Sequence, residues 1–163
     1  MKKEDKTNVM RILDQAKAEY SALAYSSETP LNGMEIAEIL GKDKSSVFKT
    51  LVTVAPSKKN YVFVVPVEKE LNLKKAASAV GEKSIAMIKQ SELLPLTGYI
   101  HGGCSPIGMK KFFKTVIDIS ASDKKSIIFS GGKVGRHIEM APNELKKVIE
   151  FNFADLTMEG TKR

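Results

Sequence analysis

A chain of 163 residues, 42% hydrophobic and 28% charged, has the size and balance of one globular domain spanning 1–163, which excludes a disordered or low-complexity polymer. Its single cysteine, Cys104, excludes an internally disulfide-stapled scaffold, and no apolar run approaches the roughly 20 residues that span a bilayer. The net charge of +7 suits either a polyanionic partner or plain solubility. The lysines are scattered, in pairs such as Lys58-Lys59, Lys110-Lys111 and Lys146-Lys147, so any basic surface must be assembled by the fold.

Met1–Lys6 is charged and no apolar stretch follows it, which predicts a cytoplasmic chain without a signal peptide. Thr7 or Asn8 caps a first helix whose Val9, Ile12, Leu13 and Ala16 share a face. A short strand is expected at Tyr20–Tyr25, then a loop over Ser26–Gly33, then a helix over Met34–Leu40 stopped by Gly41. Val47–Val54 and Tyr61–Val67 are β-branched and apolar and read as strands. Asn72 caps a helix with Leu73, Ala76, Ala77 and Val80 inward and Gly81 at its end. A helical turn over Ser91–Leu94 is expected to stop before Pro95. Val116–Ile119, Ile127–Phe129 and His137–Met140 are short strands, and Pro142 starts a closing helix with Leu145, Val148 and Ile149 inward. The order lacks a regular βαβ alternation, so the expected architecture is mixed α/β: a curved mixed sheet or barrel with flanking helices.

Three segments carry residues that packing alone does not call for. In Val47-Phe48-Lys49-Thr50-Leu51, period-two alternation puts Lys49 on a face with Val47 and Leu51. A lysine among apolar neighbours is either a functional charge or an edge-strand lysine that snorkels to water. Thr97–Gly108 holds Gly98, Gly102, Gly103 and Gly108, which fits either a tight-turned connector or a loop whose N–H groups face an anion or oxyanion. Ser130-Gly131-Gly132-Lys133-Val134-Gly135 superficially resembles a phosphate-binding loop. It lacks the Gly-x-x-x-x-Gly-Lys-Ser/Thr spacing and precedes a strand, so a nucleoside-triphosphate site is rejected. No metal site is expected, because His101 and His137 lie far apart and no Cys-x-x-Cys occurs. Cys104 and His101 share a loop, but three residues apart on a glycine-rich loop they form no recognised dyad.

Taken together, these segments resemble the YbaK/EbsC family of editing domains associated with prolyl-tRNA synthetase. The likeness runs from Phe48-Lys49-Thr50-Leu51 through Val65-Pro66-Val67 and Leu71–Ala76. It continues over Thr97-Gly98-Tyr99, Gly102-Gly103 and Ser105-Pro106 to Ser130-Gly131-Gly132-Lys133 with Gly135 and Ile138-Glu139. Each motif is weak alone; their order and spacing are specific, while the stretch before residue 45 matches only loosely.

The resemblance implies deacylation of misacylated tRNA(Pro), chiefly Cys-tRNA(Pro), acting in trans beside prolyl-tRNA synthetase, with no cofactor and with no membrane or DNA partner. It makes Lys49 the essential pocket residue and assigns Gly102 and Gly103 to catalysis. It assigns Tyr25, Phe48, Thr50, Gly98, Ser130, Gly131 and Gly132 to substrate binding. The sequence departs at His137, where related chains often carry an acidic residue. It further implies that the substrate's own thiol is the nucleophile, Cys104 being a bystander. Removal of alanine or another small residue from tRNA, and a non-catalytic tRNA- or synthetase-binding module, are the alternative readings.

Overall fold

A computed structural model of the chain describes residues 6–158, so Met1–Asp5 lies outside the described residues. The local signals that start and stop helices act as expected. Helix α1 (Asn8–Gln15) is capped by the Thr7 hydroxyl, which accepts from Met10 N–H at 3.3 Å. Helix α2 (Gly33–Leu40) opens on a capping box between Asn32 and Glu35. Helix α3 (Leu73–Val80) is capped by the Asn72 carboxamide, which accepts from Lys74 and Lys75 N–H. Of its expected inward residues, Ala76 and Ala77 are buried, but Leu73 at the open first position is exposed. Helix α4 (Leu93–Thr97) follows a 3-10 turn at Gln90–Glu92 and runs through Pro95, correcting the expected stop. In a helix's first turn the missing N–H has no intrahelical acceptor to lose. Helix α5 (Pro142–Leu145) begins at Pro142 but is one turn long, and Val148 and Ile149 pack on the core from the turn beyond it.

The strands form two sheets. In the first, β1 (Ser21–Ala24) pairs antiparallel with β7 (Arg136–Met140), which pairs antiparallel with β6 (Ile127–Lys133). The second has the order β4-β2-β3-β5-β8. Its centre is β3 (Asn60–Pro66), antiparallel to β2 (Phe48–Val54); β5 (Lys114–Asp118) and β8 (Asn152–Ala154) extend it in parallel. Two-residue β4 (Ala86–Met87) and β8 carry too little pattern to be read from sequence. Strand β5 ends at Asp118 rather than Ile119, because the Asp118 carboxylate accepts from Ser120 and Leu156 N–H and turns the chain.

Tyr61–Pro66 is buried at every position, since β3 has a core on each face. On one face Val62 and Val64 join Phe48, Val52, Phe129, Ile138 and Leu13 between the two sheets. On the other, Phe63 and Val65 pack under Ala76 and Ala77 of α3.

The mixed α/β class with flanking helices is as expected; in place of a continuous curved sheet or barrel there are two sheets, and no closed barrel among the described residues. The reason lies along one edge of β2. Val47 bridges Ile128 of β6, with Ile128 N–H donating to the Ser46 carbonyl at 2.8 Å, and β4 pairs only with Thr53 and Val54. Between those two points that edge of β2 has no strand partner among the described residues, and the sheets part there.

Candidate functional site

The parting opens a cleft of about 630 Å³ floored by Val47–Val52. Ser130 of β6 and His137 of β7 border it, as do His101, Gly102 and Cys104 of the glycine-rich loop. Three segments far apart in sequence thus meet where β2 lacks a neighbour.

Lys49, Phe48, Thr50, Gly102 and Ser130, all expected at the site, line this cleft. Lys49 is half-buried on the face of β2 that also carries Leu51, and has no carboxylate within ion-pair distance among the described residues. A largely apolar hollow holding one uncompensated ammonium attracts a phosphate or a polarised ester oxygen. Glu70, the acidic residue of the lining, is itself exposed.

Tyr25, Gly98, Gly103, Gly131 and Gly132 do not line the cleft. Tyr25 sets its ring against that of His137, with centroids 5.9 Å apart and planes tilted by 45°. Gly98 ends α4 at φ +86, its N–H donating to the Leu94 carbonyl. Gly103 gives its N–H to the Ile100 carbonyl at 3.0 Å, and a Cβ there would lie 3.2 Å from Val134 N. It seats the loop against the β6–β7 turn. Gly131 and Gly132 form the irregular step in β6 between Ser130 and Lys133, where Gly132 N–H donates to the Ser130 hydroxyl oxygen at 3.1 Å.

Gly102 differs from its neighbours in this loop. It sits on the cleft with φ +89, and its N–H has no partner among the described residues. A Cβ would meet Val134 Cγ2 at an ordinary 3.5 Å, so space is not the obstacle; the left-handed backbone is. Gly102→Val is expected to turn this N–H away from the cleft, because a β-branched residue does not hold φ +89. An active Gly102→Val variant would show the loop to be a connector.

Cys104 and His101 both border the cleft. Burial pushes the Cys104 thiol up to about 12, only partly opposed by the neighbouring Thr97 hydroxyl. Such a thiol stays protonated at neutral pH and is a poor nucleophile. His137 was legible in sequence only as a departure from the family pattern. It is 5% exposed, and burial lowers its imidazole to about 4, so the ring is neutral at physiological pH. The His137 Nδ1 and the Thr50 Oγ1 are both buried without a hydrogen-bond partner. Among the described residues no group of three or more His, Cys, Asp or Glu could hold a metal ion, and no helix is long and apolar enough to cross a membrane.

Residues 33–148 match the family model described as the aminoacyl-tRNA editing domain. A protein of Enterococcus faecalis, EbsC, provisionally named a Cys-tRNA(Pro)/Cys-tRNA(Cys) deacylase, is 43% identical over 157 residues, covering 96% of each chain. A proline–tRNA ligase of Thermodesulfovibrio yellowstonii is 29% identical over 105 residues, 64% of this chain and 18% of the ligase. The fold matches that of a crystallised protein described as a candidate trans-editing enzyme for prolyl tRNA synthetase. The TM-score is 0.76 at 24% identity, over 94% of this chain and 99% of that one.

Proposed function

The chain belongs to the aminoacyl-tRNA editing family of YbaK and EbsC, and from that premise we propose that it is a trans-acting deacylase of misacylated tRNA whose substrate is Cys-tRNA(Pro). The observation that carries this reading is the unpaired Lys49 ammonium in an otherwise apolar cleft, with the unpartnered Gly102 N–H on its border. In this reading Lys49 holds the 3′-terminal phosphate or ribose of the tRNA. It acts by positioning the tRNA end so that the ester is held in the cleft.

The nucleophile is the substrate's cysteine. Its sulfur attacks its own carbonyl carbon, forming a C–S bond. The ester C–O bond then breaks, the thiol proton passes by way of solvent to the leaving ribose oxygen, and water hydrolyses the four-membered cyclic thioester to free cysteine. Holding the thiol against its carbonyl supplies most of the rate, and Gly102 N–H stabilises the oxyanion. Hydrolysis at a second site is the remedy when a synthetase cannot reject an amino acid of similar size, since one methylene is worth only about 1–3 kcal/mol. The enzyme works in the cytoplasm beside prolyl-tRNA synthetase, the partner suggested by the ligase relative.

Incubation with Cys-, Ala- and Pro-tRNA(Pro) tests the reading. Cys-tRNA(Pro) is expected to be cleaved and Pro-tRNA(Pro) spared. Preferential cleavage of Ala-tRNA(Pro) would reassign the substrate, and binding without hydrolysis of any of the three would make the chain a binding module. Apparent affinity for the tRNA is also expected to fall with salt, by about 0.7–0.9 log units per log unit of salt for each phosphate neutralised. A flat salt response would contradict phosphate contact.

A further inference from the structure

We infer that a second hollow, between Phe112 and Phe151, holds a nucleotide of the bound tRNA away from its aminoacylated end. The base stacks on Phe112, and Lys114 and Lys146 take the phosphates beside it. The inference rests on the deacylase reading above and extends it from the ester to the body of the substrate.

The hollow has a volume of about 580 Å³ and shares no lining residue with the cleft. It lies where the parallel strands β5 and β8 begin. Lys114 and Asn152 open those strands, and the turn after α5 contributes Lys146 and Ile149. Phe112 is 72% exposed, the most open of the exposed large apolar side chains among the described residues. Its neighbour Phe113 packs on the core, so this stretch already has its anchor and Phe112 is not needed as one. The opposite wall is firm: Phe151 packs on the core and meets Phe153 edge to face, with centroids 5.4 Å apart and planes at 78°.

The charges around the hollow choose the partner. Lys114 and Lys146 are exposed, and their ammonium groups have no hydrogen bond or ion pair among the described residues; the same holds for Lys111 beside Phe112. Their chain neighbours are engaged, Lys110 with the Pro95 carbonyl and Lys147 with Glu144. Glu150 is the one carboxylate of the lining, so the hollow stays net positive. An open aromatic face among free ammonium groups is the combination that binds single-stranded nucleic acid: the ring stacks a base and the lysines follow the backbone. A second copy of the chain does not fit, because a two-fold contact would set this positive patch against itself. The glycine-rich loop borders the cleft at Gly102 and Cys104 and continues to Phe112 at the hollow. An aminoacyl ester fills only the cleft, whereas the polynucleotide attached to it extends beyond.

The test uses the full chain, uncharged tRNA(Pro) transcript for binding, and Cys-tRNA(Pro) and 3′-O-cysteinyl-adenosine for cleavage. Phe112→Ala, confirmed as folded by thermal melting, is expected to bind the transcript about tenfold more weakly, the effect of one lost base stack. Phe112→Trp keeps a stacking face and should retain affinity. Phe112→Ala should raise KM for Cys-tRNA(Pro) with kcat unchanged, and should cleave cysteinyl-adenosine like the parent, because that compound does not reach the hollow. Lys114→Gln combined with Lys146→Gln should lower the slope of log affinity against log salt by about 0.7–0.9 for each lysine. Unchanged transcript affinity in Phe112→Ala, an unchanged slope in the lysine pair, or an equal loss on cysteinyl-adenosine would overturn the inference. So would unchanged transcript affinity with a shifted sedimentation coefficient, which would assign the face to a second copy. Binding is read with uncharged tRNA, so a parent chain that binds the transcript but cleaves no ester would fail the deacylase reading alone.

Discussion

Lys49→Ala is expected to fold like the parent chain and to lose deacylation of Cys-tRNA(Pro) by about 10³-fold, because correct placement of reacting groups supplies up to roughly 7–11 kcal/mol of a barrier. Folding should be spared because Lys49 is only half-buried and no ion pair is broken by its removal. Its neighbours Phe48 and Val52 carry the packing of β2 between the sheets. Lys49→Arg should also be impaired, since a planar guanidinium replaces a compact ammonium in a cleft shaped for the latter. Single-turnover cleavage, with melting curves for each variant, makes the measurement. Near-parental turnover by Lys49→Ala would remove Lys49 from the site and return it to an edge lysine that reaches for water.

Methylating the substrate sulfur, with the enzyme unchanged, is expected to stop cleavage. Cys104→Ala, acting on unmodified Cys-tRNA(Pro), should retain most of its activity. The two results belong together because the chain's only cysteine borders the cleft and would otherwise invite assignment as the nucleophile. Desolvation holds the Cys104 thiol near 12, so at pH 7 its thiolate fraction is negligible, whereas a thiol of ordinary pKa near 8.5 on the substrate ionises far more readily. Activity on the S-methylated substrate would exclude the cyclic thioester route. An inactive Cys104→Ala variant, with an aminoacyl group trapped on Cys104 in the parent chain by mass spectrometry, would replace it with a covalent mechanism.

Much of this protein was legible along the chain because the relevant forces are local. A cap bonds N–H groups two or three residues away, so Thr7 and Asn72 mark helix starts within their own sequence windows, while Asn32, read as part of a loop, proves to be the cap of α2. The apolar, β-branched runs of β2 and β3 were equally plain, as were the odd lysine of Phe48-Lys49-Thr50 and the family motifs running from it to Gly131-Gly132. The amino-acid order therefore determined the class, the family and one wall of the cleft.

Only the tertiary structure separated the glycines. Gly98, Gly102 and Gly103 look alike in sequence, yet one ends a helix, one borders the cleft with an unpartnered N–H, and one packs against a turn. Backbone conformation and neighbours decide this, and composition does not record them. The cleft itself depends on Val47 bridging Ile128 while β4 takes only the far end of β2, pairings between residues too distant in sequence for any local signal to anticipate. For the same reason His137 was visible as a residue but not as a buried neutral ring. Its burial comes from Tyr25 and from the meeting of two sheets, and a side chain's protonation follows from what surrounds it in space.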